Sequence, residues 1–424
     1  MKKVKVVLIG AGLRGMGYAK IMAASPEKFE IVAVAEPIES RRNLIKEMYN
    51  IPEDKCFDDY KPLLELGKIA DIAVIANQDR QHFDCAMMAI TLKYDLLLEK
   101  PIAPTPEECV KLAAYAKEMG VRVIICHVLR FTPFFVTLKN IIDSGKIGKL
   151  MNIHHMESVG NVHHSHSFTR GNWGNSERSS TMLLQKTCHD MDILQWLVGK
   201  KCKKVSSFGN LTYFTQANAP EGSADRCLDC KYQDTCRFSA KKLYLESDDN
   251  EWFRPACARK VEPTDEDILE ALNTTQYGKC VYKCDNDVVD HQVVNMEFED
   301  DILCAFTMSS FGESGRFINV MGTEGNINVK MEDASEKIPV YNFNTWKTEY
   351  VDVVQDGLSM GSHSGGDTGI IETLYQFITG TYQGKSICTI EQSKDNHMIV
   401  FAAEKARETG TIVDVDEFVK DYQY

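Results

Sequence analysis

Short apolar runs alternate with amphipathic segments through the first third of the chain. Residues 3–9 read KVKVVLI, a β-branched run typical of a strand buried on both faces. The same pattern predicts strands at 31–35, 72–76, 94–99 and 121–127, and helices at 16–24, 38–49, 80–92 and 105–119. Strands that alternate with helices indicate a parallel sheet with right-handed crossovers. We therefore predict an α/β nucleotide-binding domain of the Rossmann type over residues 1–130.

The pattern changes after residue 130. Longer strands are predicted at 152–159, 205–213, 288–299, 302–309, 317–322 and 325–331, and helices at 181–197, 368–379 and 391–407. This order is typical of an α+β domain with a large, mostly antiparallel sheet, here residues 131–424. Residues 217–285 are polar, rich in Cys and Asp, and weakly periodic, so they are expected to be an insertion that needs an external staple.

Composition narrows the class of protein. The 424 residues are 44% hydrophobic and 26% charged, which is typical of a soluble globular protein with two domains. A net charge of -13 argues against nucleic acid or an anionic membrane as the main partner. Because the chain shows neither an export signal nor a long apolar run, we expect a cytoplasmic protein with mostly reduced thiols.

A glycine-rich turn follows the first strand, with Gly10, Gly12 and Gly15 enclosing Leu13 and Arg14. Glycines at this place permit a tight bend and close approach of the backbone to a pyrophosphate, which faces the amino end of the next helix. Because the motif stands between a predicted strand and a predicted helix, it indicates a dinucleotide site.

The ends of the next strands carry further candidates. Glu36 ends the second strand, where a carboxylate binds ribose hydroxyls and repels a 2′-phosphate, which favours NAD over NADP. Arg41 and Arg42 follow and can serve such a phosphate, so NADP stays open. Asn77 lies where the nicotinamide half of the cofactor passes, although it can also be a plain turn residue. The remaining candidate cofactor contacts are His82, Glu99 and Lys100.

Lys100 stands between the strand that ends at Glu99 and the ring of Pro101. Pro101 disfavours a helical conformation at Lys100, so the lysine is displayed from a rigid strand end. An ammonium group at this position can polarise a carbonyl or stabilise an alkoxide beside the nicotinamide. The alternative is an ordinary surface lysine.

Three segments together resemble the family of glucose-fructose oxidoreductase, inositol 2-dehydrogenase and MocA (Gfo/Idh/MocA). They are Gly10-Ala11-Gly12, Glu99-Lys100-Pro101 and residues 184–192, LQKTCHDMD. The resemblance covers nearly the whole chain except the insertion. It implies an NAD-dependent enzyme acting on a sugar, polyol or glycoside, and a homo-oligomer, a dimer or tetramer, supported by the sheet of the second domain.

The family carries an Asp-x-Gly-x-His-x-x-Asp motif on a helix. The match implies that His189 is the acid/base and Asp192 the last acid, while Gln185 replaces the first aspartate. Gln185 cannot ionise, so it cannot tune His189 as a carboxylate would. Lys186 lies three residues before His189, and on one continuous helix both would point into one cavity. Its role is open between catalysis and a solvated charge.

Polar donors and an indole near residues 163–173 suit a sugar or polyol. The candidate substrate contacts are Arg130, His166, Arg170, Asn172, Trp173, Gln185 and His363. For each loop residue, ordinary surface polarity is an equal alternative, and the histidines can also bind metal. His363 stands before a predicted helix, where Ser364 or Asp367 can cap the amino end.

A cysteine cluster marks the insertion. Cys227, Cys230 and Cys236 lie within ten residues, and Cys280 is the predicted fourth ligand, with Cys257 and Cys284 as alternatives. Four thiolates around Zn²⁺ would order a segment with little apolar content. Free or disulfide-paired cysteines and an iron-sulfur cluster remain open. Because the cysteines lie outside the catalytic motifs, the predicted metal is structural.

These observations predict an NAD-dependent oxidoreductase that oxidises a secondary hydroxyl. His189 would remove the hydroxyl proton and Lys100 would hold the oxygen. A second reading uses the same oxidation transiently, followed by elimination, water addition and reduction, which gives net glycoside hydrolysis. A third, supported by Gln185, is a catalytically silent NAD(H) or sugar sensor.

Overall fold

The structure, a computed structural model, describes residues 3–354 and 365–422, without the side chains of residues 249–251. His363, which we predicted to contact substrate, and Ser364 lie outside the described residues.

The first domain contains a parallel sheet flanked by helices. Its strands are β1 (Val4–Ile9), β2 (Phe29–Ala35), β3 (Cys56–Phe57), β4 (Ile72–Ile75), β5 (Asp95–Leu98) and β6 (Val123–Ile125). Its helices are α1 (Leu13–Ala23), α2 (Glu39–Tyr49), α3 (Tyr60–Leu64), α4 (His82–Thr91) and α5 (Pro106–Met119). The strand order is β3-β2-β1-β4-β5-β6, so the chain reverses direction across the sheet beside β1, where such folds bind ligands. The predicted Rossmann fold is confirmed.

The second domain is built on a nine-stranded sheet. Its strands are β7 (Leu150–Ser158), β8 (Cys202–Asn210), β9 (His291–Phe298), β10 (Leu303–Ser309), β11 (Gly315–Gly322), β12 (Gly325–Lys330), β13 (Lys337–Asn342), β14 (Lys347–Asp352) and β15 (Val413–Asp414). The order is β14-β13-β12-β11-β7-β10-β9-β8-β15. Only β7 and β10 pair in parallel among these described strands, which agrees with the predicted mostly antiparallel sheet.

Further helices follow residue 130 along the chain. They are α6 (Pro133–Asp143), α7 (Asn161–His164), α8 (Met182–Gln185), α9 (Cys188–Val198), α10 (Arg254–Ala258), α11 (Asp265–Thr274), α12 (Gly366–Thr379), α13 (Ile390–Thr409) and α14 (Val415–Lys420). A π-helical turn, Ser165–Arg170, continues α7. No helix in the described ranges has the length and apolarity needed to cross a membrane.

The predicted helix over residues 181–197 is wrong in one respect, because it is broken between α8 and α9. Thr187 has φ -111° and ψ 12°, and its hydroxyl donates to the Leu183 carbonyl at 3.0 Å. In a continuous helix the Gln185 carbonyl would accept the amide of residue 189, whereas here it accepts the Lys100 ammonium at 2.7 Å. The break therefore makes a backbone carbonyl available to the strand end of the first domain.

The two domains share hydrophobic packing. Ile370, Ile371 and Leu374 of α12 belong to the same buried cluster as Val6 and Leu8 of β1. The chain therefore returns, far beyond residue 130, to cover one face of the first sheet. A division at residue 130 separates the two sheets but divides this hydrophobic core.

The insertion has small cores of its own. Tyr244 and Phe253 pack with Ile268 and Leu272, and a second cluster contains Phe214 and other residues near Tyr282. A capping box at Thr264 begins α11, in which Thr264 and Asp267 bind each other's backbone amides.

Candidate functional site

The glycine turn after β1 is packed closely on one side and open on the other. Gly10 has φ +86°, and a Cβ there would lie 2.5 Å from the Ala76 carbonyl oxygen. A Cβ on Gly15 would lie 2.0 Å from the Gly10 carbonyl oxygen. At Gly12 the nearest atom is an Arg41 guanidinium nitrogen 4.0 Å away. The turn thus has no room for side chains at Gly10 and Gly15, whereas its backbone at Gly12 is accessible, as a bound pyrophosphate requires.

Glu36 lies beside this turn. Its buried carboxylate accepts the Ala11 amide at 2.6 Å and the Ile38 amide at 3.0 Å. Arg42 donates to the Glu36 carbonyl, and Arg41 donates to the Pro255 carbonyl in the insertion at 3.2 Å. The carboxylate is therefore rigidly placed at the sheet edge, and the insertion reaches the adenosine end of the predicted cofactor site.

Arg14 and Glu99, both predicted to contact cofactor, bind each other. Arg14 donates to Glu99 at 2.8 Å and to Asp367 of α12 at 2.7 and 2.9 Å. The Tyr18 hydroxyl also donates to Glu99, at 2.5 Å. Burial alone would raise the pKa of Glu99, but the Arg14 charge and the Tyr18 hydrogen bond outweigh it and lower that pKa. Asp367 is thus engaged by Arg14, and Gly365 occupies the N-cap position of α12.

The loops after β4 and β5 form the edge expected to face the nicotinamide. His82 is fully buried, with Nδ1 2.7 Å from the Pro101 carbonyl oxygen and Nε2 3.3 Å from the Asn77 carbonyl oxygen. It therefore ties the two loops together and acts on the site through them. The amide atoms of Asn77 are buried and make no hydrogen bond to the described residues. Such an orphaned amide fits a polar ligand, and Leu13 stands 53% exposed at the start of α1.

Lys100 joins this edge to the second domain. Its ammonium donates to the Gln185 carbonyl at the break before α9, the helix that carries His189. The ring of His189 meets that of His127 edge to face, with centroids 5.6 Å apart. Burial lowers the pKa of His127 to about 4 although Asp192 opposes this, so a neutral ring adjoins His189. Lys100 thus contacts the segment directly before the helix that carries His189.

Lys186 belongs to a buried chain of charges. Its ammonium lies 3.1 Å from Glu157, which also binds Arg316 at 3.0 Å. Arg316 continues to Asp190 at 2.8 Å, and Asp190 lies 2.8 Å from His155. Burial opposes ionisation of Asp190, but Arg316 and His155 lower its pKa. Lys186 is therefore held as a paired cation on the second-domain sheet.

Two arginines predicted to contact substrate are buried elsewhere. Arg130 forms a bidentate ion pair with Asp192 at 2.6 and 2.7 Å, which occupies both Asp192 oxygens. His127, Asp192 and Cys388 place donor atoms within 4.8 Å of one another, but the Arg130 pair already balances that carboxylate. Arg170 is fully buried below the insertion and donates to the carbonyls of Lys279 and Phe238. These placements indicate structural roles.

The other predicted substrate contacts are divided. His166 is buried between aromatic rings, 3.9 Å from the Phe253 centroid, and burial lowers its pKa to about 3. Asn172 donates to the Gln78 side chain at 3.2 Å, at the loop after β4. Trp173 packs 5.9 Å from Phe168, and Gln185 is buried. Two of these residues therefore lie near the predicted cofactor site. Asn172 contacts Gln78 in the loop after β4, and the Gln185 carbonyl accepts the Lys100 ammonium.

Trp252 is a candidate substrate contact that the sequence did not predict. Trp252, in the insertion, is 44% exposed and meets the His163 ring edge to face at 5.1 Å. Burial and then the Lys186 charge lower the pKa of His163. An exposed indole at this place is a candidate wall for a sugar. Its surroundings lack periodicity, so no local signal marked it.

Comparison with known proteins agrees with this geometry. Residues 4–127 match the family model described as the oxidoreductase family, NAD-binding Rossmann fold (GFO_IDH_MocA). Residues 139–415 match the model of the C-terminal alpha/beta domain of the same oxidoreductase family. Together these matches span both sheets and the insertion.

Among curated relatives, the "Putative oxidoreductase YteT" of Bacillus subtilis is 23% identical over 84% of this chain and 81% of its own length. The scyllo-inositol 2-dehydrogenase (NAD(+)) of B. subtilis is 25% identical over 49% of this chain and 62% of its own length.

Among solved structures, an Agrobacterium radiobacter oxidoreductase in complex with NAD+, L-tartaric acid and magnesium is similar in fold. It has a TM-score of 0.68 and 14% identity and covers 98% of this chain and 99% of that one. The apo scyllo-inositol dehydrogenase of Lactobacillus casei has a TM-score of 0.63 at 15% identity, with 98% and 99% coverage. These likenesses concern the fold, whereas the family models span most of the sequence. The chain therefore belongs to the Gfo/Idh/MocA family of NAD-binding oxidoreductases.

Proposed function

We propose that this protein is an NAD-dependent dehydrogenase that oxidises a secondary hydroxyl of a sugar or polyol. The observation that carries the proposal is the Lys100 ammonium held 2.7 Å from the Gln185 carbonyl, directly before the helix of His189. Inositol dehydrogenases among the relatives support a polyol as the substrate class.

The proposed chemistry divides between two side chains. His189 accepts the hydroxyl proton, while the Lys100 ammonium binds the oxygen on which negative charge develops. NAD, when bound, would supply the hydride acceptor. The Gln185 carbonyl fixes the ammonium from one side, which orients Lys100 and leaves its other N–H groups for the substrate oxygen.

We propose that NAD is held by the glycine turn, by Glu36 at the ribose and by Asn77 near the carboxamide. The open approach at Gly12 and the unsatisfied Asn77 amide support this arrangement. Arg14, His82 and Glu99 shape the same site indirectly, since each binds neighbouring protein groups.

Lys186 serves a different role in this proposal. Because its ammonium pairs with Glu157, it orients substrate hydroxyls as a fixed cation and does not exchange the reacting proton. Arg316 shares the same carboxylate, so the charge of Glu157 is divided between two cations.

A substrate panel tests the activity. Sugars, inositols and aryl glycosides are incubated with the protein and NAD, and both NADH and released aglycone are followed. We expect NADH to accumulate with at least one alcohol and Lys100→Met to lower kcat about 10³-fold or more without loss of NAD binding. Aglycone release without net NADH would establish redox hydrolysis instead. Lack of turnover across the panel, with NAD binding intact, would favour the sensor.

The remaining expectations are proposals of the same kind. We propose a cytoplasmic protein that forms a homo-oligomer through the open face of the large sheet, where Phe208 is 68% exposed and lies opposite Val293. Light scattering of the wild type and of Phe208→Glu checks this: the variant should dissociate. A zinc ion bound by the insertion would be structural, because the predicted cysteine ligands lie outside the Lys100 and His189 constellation.

A further inference from the structure

Four cysteines of the insertion line one small cavity. Cys227, Cys230, Cys236 and Cys280 all face it, together with Arg170, and its volume is about 20 Å³. A space of this size accommodates a single small guest. Neither Cys257 nor Cys284, the alternative fourth ligands, belongs to the lining.

Backbone hydrogen bonds bring these cysteines together from distant parts of the insertion. The Cys227 amide donates to Gly278 and the Cys280 amide donates to Asp225, both at 2.8 Å. This short antiparallel bridge pairs Arg226 with Lys279, so Cys227 and Cys280 are diagonal neighbours on one face although more than fifty residues separate them. The backbone therefore fixes the relative positions of both segments.

Two turns supply the remaining thiols. The Cys230 amide donates to the Cys227 carbonyl at 3.2 Å, and the Cys236 amide donates to Tyr232 at 2.8 Å. A turn between paired cysteines is the usual way in which a CxxC segment presents two sulfur atoms to one ion. Among the described residues, the sulfur atoms of these cysteines do not form a group within 4.8 Å of one another, so binding of one ion would require their side chains to rotate inward.

Arg170 gives the cavity an unbalanced positive charge. It is fully buried, and its hydrogen bonds go to the carbonyls of Lys279 and Phe238 and, at 3.3 Å, to the sulfur of Cys227. No carboxylate among the described residues pairs with it, and its Nη1 makes no hydrogen bond to them. A buried guanidinium without an anion is costly, so an anionic partner is expected in this cavity.

We propose that Cys227, Cys230, Cys236 and Cys280 bind one Zn²⁺ as thiolates and that Arg170 balances the charge of this centre. Four thiols lose four protons to solvent as four Zn–S bonds form, which leaves a centre with a net charge of about -2. Arg170 then acts as a positioning residue that donates to the Cys227 thiolate. The Arg170 charge has no anionic partner while the thiols are neutral, whereas it stabilises the negatively charged zinc thiolate centre.

The metal centre would also support the candidate substrate wall. Arg170 ends the π-helical turn that carries His166, and His166 stacks on Phe253, the neighbour of Trp252. The metal would therefore stabilise the π-helical turn that carries His166, and with it the aromatic contact of His166 with Phe253 beside Trp252. The zinc proposal does not depend on the identity of the substrate or on catalysis.

Metal content tests the proposal directly. The full-length protein is produced in zinc-supplemented medium, passed through desalting without chelator and analysed by mass spectrometry for metals. We expect about one zinc per chain and, after exchange with Co²⁺, the absorption of tetrahedral cobalt thiolate. Less than about a tenth of an equivalent of zinc, or stoichiometric iron, would overturn the assignment.

Matched variants separate ligands from bystanders. Cys236→Ser should lose zinc, whereas Cys56→Ser, which changes a partly exposed cysteine of the first domain, should keep it. If Cys236→Ser does not fold, chelator competition with the wild-type protein in the presence of a thiol-blocking reagent gives the same answer, since blocked thiols release the ion. Retention of zinc after mass spectrometry shows that Cys227, Cys230, Cys236 and Cys280 are all blocked would contradict cysteine ligation.

Arg170 has a separate readout. Arg170→Met should weaken zinc binding about 10–100-fold in chelator competition, and Arg170→Lys should restore part of the loss because it keeps the charge. Equal zinc affinity in the wild type and Arg170→Met would overturn the charge-balancing role. Protection of β1 against hydrogen exchange serves as the control and should be unchanged in both variants, because β1 packs in other hydrophobic clusters than the insertion.

Discussion

The first sheet and the insertion are stabilised in different ways. In the sheet, β1 and β4 are buried along nearly their whole length, and apolar residues of α12 extend the same core. The insertion instead divides its apolar residues between two small clusters with a cysteine-lined cavity beside them. A continuous apolar pattern is therefore enough to order the sheet, whereas the insertion depends on a few aromatic residues and on polar groups that need a partner.

The largest expected effect comes from a substitution in the glycine turn of the first sheet. In Gly15→Ala the new Cβ would lie 2.0 Å from the Gly10 carbonyl oxygen, so the first turn must shift. We expect NAD affinity to fall at least about 100-fold and the free energy of unfolding to fall by about 4 kcal/mol or more. Isothermal titration with NAD and denaturant unfolding measure both.

Gly17→Ala is the matched control, because no atom lies within 4 Å of its added Cβ. It should bind NAD like the wild type and be stabilised by up to about 1 kcal/mol through helix propensity. Equal NAD affinity in the two variants would show that the tight packing of the turn does not control cofactor binding.

The insertion side is tested by Phe253→Ala. Phe253 is buried and stacks on His166, so the truncation should cost about 3–5 kcal/mol of local stability. Hydrogen exchange should rise across the insertion while the strands of the first sheet keep their protection. The control Phe343→Ala removes a ring that is already 41% exposed and should change neither region. Loss of protection in β1 to the same extent would mean that the two regions unfold as one unit.

A third prediction concerns the link between α12 and the nucleotide turn. Because the pKa of Glu99 is lowered in the folded protein, its charge stabilises the fold above the unfolded pKa of about 4.3 and this contribution is lost as pH falls through the folded pKa. Glu99→Gln should therefore be less stable than the wild type by about 1–3 kcal/mol at pH 7, with the difference shrinking under acid conditions.

Denaturant unfolding of both proteins between neutral and acid pH measures that difference. Exposed Glu118→Gln is the control and should match the wild type at every pH. A difference between Glu99→Gln and the wild type that does not shrink on acidification would show that the carboxylate charge contributes nothing at this position.

The smallest expected effect tests whether the insertion contacts the substrate. Trp252→Ala removes a half-exposed ring, so stability should fall by less than about 1 kcal/mol. If Trp252 lines the substrate site, KM for the best sugar should rise about 10-fold while NAD affinity stays unchanged. Trp346→Ala, which removes a largely exposed indole between β13 and β14, is the control. An unchanged KM in Trp252→Ala would remove the indole from the substrate wall.

The sequence predicted the features that depend on neighbours along the chain. The run of residues 3–9 and the glycines that follow specify a buried strand and a tight turn, and both occur as predicted. Local spacing also grouped Cys227, Cys230 and Cys236, which the structure places around one cavity.

The features that the sequence did not predict depend on distant partners. Arg130 seemed available to substrate, but Asp192, far along the chain, pairs with it in the interior. The helix break at Thr187 is similar, because the carbonyl that it releases is bound by Lys100 from another domain. A periodic pattern indicates which face of a helix is apolar, but it does not indicate which side chain from a distant part of the sequence binds that helix.

The contact between Arg14 and Asp367 limits how this protein can be dissected. A fragment ending near residue 130 would carry every nucleotide-binding motif yet would expose the apolar face that α12 covers and leave Arg14 without its partner on that helix. Chimeras that exchange nucleotide-binding domains between family members must therefore carry the α12 segment as well, so that two pieces distant in sequence are exchanged together.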